Sequence, residues 1–460
     1  MKRSVIAGGA ALALCGPASH AAQQEDLAGI RAQIQQLRND YQKRIDELEE
    51  RLAQAEAQAR SAQRSARRAE QVATAPAAVP PPAPKSANAY NPALSVILMG
   101  GVNAYSRDPG TYALPGFQLD SEAGLAEEGP TIGESELTFS ANVDDQYYGS
   151  LTTAIHSPAG GATEVNIEEA YLEAPRLPAG LGVKFGRFYS GIGYLNSRHR
   201  HAWNFADAPL AYRAFLGGQY GDDGVQIRWL APTDRFIELG GELLRGANFP
   251  GGGIGDSRFG ARSLFAHTGG DIGISSSWRL GVSRLWSRPH AREGMANDAG
   301  VAASSFAGDS NLTGVDFVWK WAPAGNPYAR NLVVQAELFR RDEAGRVTVN
   351  DTGMSTAYDG IQYGGYAQAV YQFMPRWRIG ARYDWLSADN HGADPSVLTQ
   401  AGLLDQGHKP SRYTLMMDFA NSEFSRLRLQ YDQDRSLPRT DRQWLFQYVM
   451  SLGAHGAHAF

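Results

Sequence analysis

The sequence predicts an all-β fold: a transmembrane antiparallel β-barrel of about sixteen strands, preceded by an α-helical coiled coil. Three observations predict it. Short runs alternate apolar and polar residues with a period of two from Ala93 onward. Short connections alternate with long ones, as turns at one rim and loops at the other require. The chain also ends on a strand-like stretch, Trp444 to Phe460, with Trp444, Phe446, Tyr448, Met450 and Leu452 on one parity and Phe460 last.

Length and composition set the limits. The 460 residues suffice for one large domain with accessories, and 51 are Gly. Outside the N-terminal segment no apolar run approaches about 18 residues, so no spanning helix is expected; barrel strands escape that criterion. Residues 1–22 have the build of a secretory signal peptide: Lys2 and Arg3, an apolar run from Val5 to Cys15, then small residues around Ser19-His20-Ala21. Leu14 is too large for the position before a lipidated cysteine, which disfavours a lipoprotein. Cys15 is the only cysteine, so a processed chain has no disulfide and no thiolate chemistry. Loss of Lys2 and Arg3 takes the formal charge from −5 to −7, which argues against nucleic acid as a partner.

Residues 23–70 predict a periplasmic coiled coil. Apolar or small residues recur in steps of three and four from Leu27 through Ile30, Ile34 and Leu37 to Ala69, with a stutter at Leu37–Tyr41–Ile45. The narrow seam points to self-association. Residues 71–92, with Pro80-Pro81-Pro82, form a semi-rigid linker. The barrel occupies 93–460. Trp377, Ile379, Ala381, Tyr383 and Trp385 oppose Arg376, Arg378, Gly380, Arg382 and Asp384; Leu137, Phe139, Ala141 and Val143 oppose Glu136, Thr138, Ser140 and Asn142. An apolar outside and a wet inside require such strands. Long loops are expected at 107–131, 190–222, 287–310, 342–358 and 388–409. An even strand count returns both ends to the side where the coiled coil lies, the periplasm.

The third long loop, 190–222, is rich in Gly and aromatics for an exposed segment, so it is expected inside the barrel. It carries a candidate pore constriction: Arg198, His199, Arg200, His201, Asp207, Tyr212 and Arg213. The alternative is a cap with its arginines paired to Asp207. A candidate pore wall of Arg376, Arg378, Arg382, Arg412, Arg426 and Arg428 shares the inward parity of three strands and would favour anions. Inward Glu238, Glu242, Asp316, Asp384 and Asp418 oppose that. His199/His201 and His455/His458 lack a clear third ligand, so no metal and no cofactor is expected. Motifs for a nucleophile elbow, a phosphate loop or a metalloprotease helix are absent, so no enzyme is expected.

Residues 93–460 resemble a bacterial outer-membrane trimeric porin of the phosphate-selective porin superfamily. The resemblance rests on Ile167-Glu168-Glu169-Ala170-Tyr171-Leu172, Val183-Lys184-Phe185-Gly186-Arg187-Phe188 and the terminal Phe460. The N-terminal region resembles the dicarboxylate-porin-like subgroup with a periplasmic coiled coil. The resemblance implies a homotrimer in outer-membrane lipid, passive, substrate-biased diffusion of small hydrophilic solutes, and delivery by barrel-assembly machinery that reads Phe460, Tyr448 and Phe446; that the solutes include anions is the expectation from the arginine rows. It does not imply phosphate, because the loops hold few lysines. A structural or adhesive barrel tethered through its coiled coil and a zinc-linked uptake barrel are the alternatives.

Overall fold

The computed structural model describes residues 92–156, 163–253 and 258–453, together with Gln35. Contacts divide the chain into Met1–Ser86 and Ala87–Phe460. The signal peptide, nearly all of the coiled coil and linker, and Phe460 lie outside the described residues; Gln35 is helical and exposed.

Eighteen strands, from β1 (Ala93–Tyr105) to β18 (Asp441–Gly453), make one antiparallel sheet among the described residues. It closes where β18 returns to β1, from Ser95↔Gly453 to Tyr105↔Gln443. Two strands are short pieces. β2 (Gly129–Ile132) and β3 (Ser135–Asn142) pair one above the other along β1, and β11 (Arg292–Gly294) pairs with the start of β12 (Ser304–Trp321). Sixteen staves remain, the predicted number. Closure leaves no sheet edge unpaired, as a bilayer demands. Ala93 and Gly453 stand at the same rim as the short turns.

Alternation sorts the faces. On β18, Trp444, Phe446 and Met450 are exposed outward, while Gln443 is buried inside. On β15 (Trp377–Gly392), Ile379 and Tyr383 face out and Arg382 and Asp384 are buried. Outward aromatics pair across strands: Trp377 on Phe419 (4.8 Å) near the short-turn rim, and Tyr383 on Tyr413 (4.7 Å) six residues further along. This apolar belt around a polar interior is the construction of a membrane-spanning barrel. No helix among the described residues is long and apolar enough to cross a membrane.

One expected loop is largely strand and another is partly so. β13 (Asn331–Val349) and β14 (Ser355–Met374) continue as a paired hairpin through most of 342–358, and β12 already begins at Ser304. Polar runs such as Arg340-Arg341-Asp342-Glu343 lack an apolar face because that end of the hairpin carries charge on both faces. One strand is irregular. Against β4 (Tyr148–His156), β5 (Glu164–Leu177) places Glu169 opposite Thr152 and Ile167 opposite Thr153, so Glu168 is the extra residue of a β-bulge.

Inside the barrel, residues 190–220 form a packed loop. Its helix α1 (Leu210–Leu216) is wholly buried and lies against β13, β14 and β15. Phe215 meets Phe339 (6.0 Å) and, from the first long loop, Phe117 (5.6 Å). Gly364 of β14 makes room: a Cβ there would sit 2.9 Å from the Phe215 ring. Tyr112, Leu114, Phe117 and Leu119 of the first loop complete this internal core with Leu210 and Leu216.

Candidate functional site

The loop is tied at its base by side chains that satisfy its backbone. Asn196 donates Nδ2 to the carbonyls of Ser190 (2.9 Å) and Tyr220 (2.8 Å), and its Oδ1 accepts from Tyr220 N–H (2.7 Å). Glu337, on β13, accepts from the N–H groups of Tyr194 and Leu195 (both 3.0 Å) and from the Tyr212 hydroxyl (2.9 Å). Gly193 has φ +71°, and a Cβ there would lie 2.5 Å from a Glu337 oxygen, so only glycine lets the backbone approach. Leu210 N–H, at the start of α1, bonds Asp384 (3.0 Å).

The wall arginines reach one consecutive stretch of this loop. Arg426 donates to the carbonyl of His201 (2.5 Å), Arg428 to that of Trp203 (2.9 Å), Arg378 to Asn204 Oδ1 (3.3 Å), and Arg412 to the carbonyl of Ala208 (2.8 Å). Asp207 collects three guanidinium groups: Arg412 at 2.5 Å, Arg382 at 2.8 Å and Arg213 at 3.3 Å. Burial alone would push the Asp207 carboxyl up; those arginines outweigh it and hold the group far below the usual carboxylate range. The predicted anion ladder therefore needs correction. Arg382, Arg412 and Arg428 are buried and bonded to the loop or to Asp384 and Asp418, so they do not line water. Arg376 stands exposed in the β14–β15 turn with φ +73°, outside the inward row.

The candidate constriction residues are also separated. Arg213 turns to the carbonyls of Ala123 (2.9 Å) and Gly124 (2.5 Å) in the first loop. Arg200 pairs with Glu134 (3.1 Å). Arg198 lies over the Tyr194 ring at 4.3 Å. The two histidines meet the opposite wall. His201 Nδ1 is 2.7 Å from Glu136, and His199 reaches Glu136 (3.2 Å), Glu168 (3.3 Å) and Glu169 (3.0 Å). Burial would lower the His199 pKa, but these carboxylates raise it well above the ordinary imidazole value. The loop thus spans the lumen between an arginine-bearing wall and an acidic one. Phe446 and Tyr448 face outward on β18, away from this site.

Strand alternation also puts Lys184, Arg228 and Arg279 on the inward parity of β6 (Leu181–Tyr189), β7 (Gly221–Leu230) and β10 (Ser276–Ser287), beside outward Phe185, Ile227 and Leu280. The three basic residues line a cavity of about 680 Å³ beneath the loop, with Glu238, His267 and Asp271. Arg279, like Arg198, lies by the Tyr194 ring (5.1 Å), and Lys320 stands near Arg198 and Arg279.

No protein-family model matches the chain. An uncharacterized protein of Aquifex aeolicus (strain VF5) is 31% identical over 413 residues, 82% of each chain. Among solved structures, the trimer form of OmpT, an outer membrane protein of Vibrio cholerae, covers 78% of this chain and 98% of its own (TM-score 0.48, 10% identity). The anion-selective porin from Comamonas acidovorans covers 78% and 99% (TM-score 0.45, 11% identity). The outer membrane channel DcaP of Acinetobacter baumannii covers 78% and 96% (TM-score 0.44, 12% identity).

Proposed function

We propose a function for a chain that belongs to the same family as the uncharacterized Aquifex aeolicus protein: it is an outer-membrane porin through which small hydrophilic solutes diffuse passively, with anions favoured. The carrying observation is a closed barrel, apolar outside, whose polar lumen is narrowed by its own third loop above a cavity of about 680 Å³. No bond is made or broken in such transport. Anion preference rests on the cluster around Tyr194, where Arg198, Arg279 and Lys320 gather. Fixed cations beside a low-dielectric wall lower the barrier for anions.

The export signal, the coiled coil and the Pro linker support a homotrimer in outer-membrane lipid with its N-terminal helices in the periplasm. Purified protein in a planar bilayer, under a salt gradient, tests the reading. We expect ohmic current and a reversal potential on the anion side, with Arg279→Gln moving it toward zero. No current at all would select the second reading, a structural barrel. That reading draws on the internal core of Phe117, Phe215 and their neighbours, which fills part of the lumen. Current with a reversal potential unchanged by Arg279→Gln would remove this cationic cluster as the selectivity element.

A further inference from the structure

We infer that the barrel binds a divalent transition-metal ion of the zinc class, held by His199 Nδ1, Glu136 Oε2 and Glu168 Oε2, where the inner loop meets the β3–β5 wall. These three atoms lie within 4.8 Å of one another. Nδ1 is 3.2 Å from the Glu136 oxygen and 3.3 Å from the Glu168 oxygen. Bonds of about 2.0–2.1 Å in a tetrahedron place ligand atoms roughly 3.3–3.4 Å apart, so the two measured separations suit a shared ion. Neither Nδ1 nor Glu168 Oε2 makes a well-aligned hydrogen bond, although both atoms are buried.

The surroundings match what metal ligands require. His199 has its other nitrogen, Nε2, on Glu169 at 3.0 Å, and Glu169 is itself fixed by Tyr189 N–H (3.2 Å). A carboxylate on the far ring nitrogen orients the ring, and an ion bound at Nδ1 takes the place of the proton there. Glu136 is likewise held through its other oxygen by His201 Nδ1 (2.7 Å). The bulge at Glu168 is what brings two successive carboxylates, Glu168 and Glu169, to this side of β5. One imidazole and two carboxylates suit zinc-class ions, and three protein ligands leave a position for water or a passing ligand. With His199 as a neutral ligand, the carboxylates of Glu134, Glu136, Glu168 and Glu169 outnumber the neighbouring Arg200 and Lys184, so a dication is favoured. The ion would staple the loop to the wall.

The test uses the full mature protein in detergent, stripped with chelator and titrated with Zn²⁺. His455→Ala and His458→Ala are present throughout, so the terminal histidines do not compete. One Zn²⁺ per chain is expected, with one nitrogen and otherwise oxygen ligands in its X-ray absorption spectrum. His199→Ala and Glu168→Gln should each weaken binding at least tenfold, and Glu169→Gln by about 10–100-fold through the far ring nitrogen. His391→Ala, at an exposed histidine, should leave it unchanged. Glu168→Gln is isosteric and keeps the test open if His199→Ala does not fold. No stoichiometric binding, or binding indifferent to both His199→Ala and Glu168→Gln, would overturn the site. Because binding is read without current, its failure leaves the diffusion reading standing, and the reverse holds too.

Discussion

Asp207 neutralises three arginines that could not otherwise be buried together. Removing its charge while keeping its shape leaves Arg382 and Arg412 sharing Asp384 as their nearest remaining carboxylate and leaves Arg213 without its ion-pair partner. Breaking a buried pair in this way costs about 3–5 kcal/mol. Asp207→Asn should therefore lower the urea midpoint of the barrel and open 190–220 to protease. The acid response follows from the sign of the shift. Asp207 is depressed in the folded protein, so its contribution is fully present above the unfolded value near 3.9 and is lost only as pH falls through the much lower folded value. Protease resistance of the loop should hold from neutral pH to about 4 in the wild type; loss of resistance already at pH 5–6 would contradict this role for Asp207. The sequence showed Asp207 and the arginines as candidates, but it could not show which would meet. Alternation gives the face of a strand residue and says nothing about where a loop residue lands.

At the scale of elements, strands were legible and their irregularities only partly so. Every stave predicted from period two is present, because one face must meet lipid and the other water. The hairpin of β13 and β14 was cut short because its far end has no apolar face to report. The bulge in β5 did leave a trace: two acids in succession, Glu168-Glu169, inside an otherwise alternating strand. Deletion of Glu168 should heal the ladder without reversing any face, since Ile167 would remain outward and Glu169 inward. We expect the deletion barrel to melt within about 1 kcal/mol of the wild type while the tip of the inner loop around His199 becomes cleavable. A barrel that failed to form would show the bulge to be structural rather than a device for placing carboxylates.

The whole molecule is organised by the solvent on each side of its wall. Leu415 of β16 (Ser411–Ser422) is exposed to the outside, and Gln430 of β17 (Ser425–Arg435), close to it in the sheet, is buried in the lumen. Leu415→Arg should cost about 2–4 kcal/mol for folding into vesicles if it lies at mid-depth of the bilayer, whereas a charge facing the lumen avoids the hydrocarbon. Urea titration of vesicle-bound protein measures the difference. A penalty near zero would mean that this face does not meet lipid. This division was readable from composition along single strands. The internal core of the first and third loops was not, because apolar residues in a loop have no period that marks them as enclosed.

The bonds that hold the inner loop join residues far apart in the chain. His201 is bound by Arg426, Trp203 by Arg428, Asp207 by Arg412, each about 200 positions later. A nascent chain therefore carries Phe215 and Leu216 without their docking wall until β13, β14 and β15 arrive, and the rest of this segment without its arginines until β17. The loop must then seat late, near the moment when β18 finds β1. Chains stalled or truncated before β15 would present that apolar segment to holding chaperones and to proteases, so the segment that narrows the finished barrel also marks the unfinished one for removal.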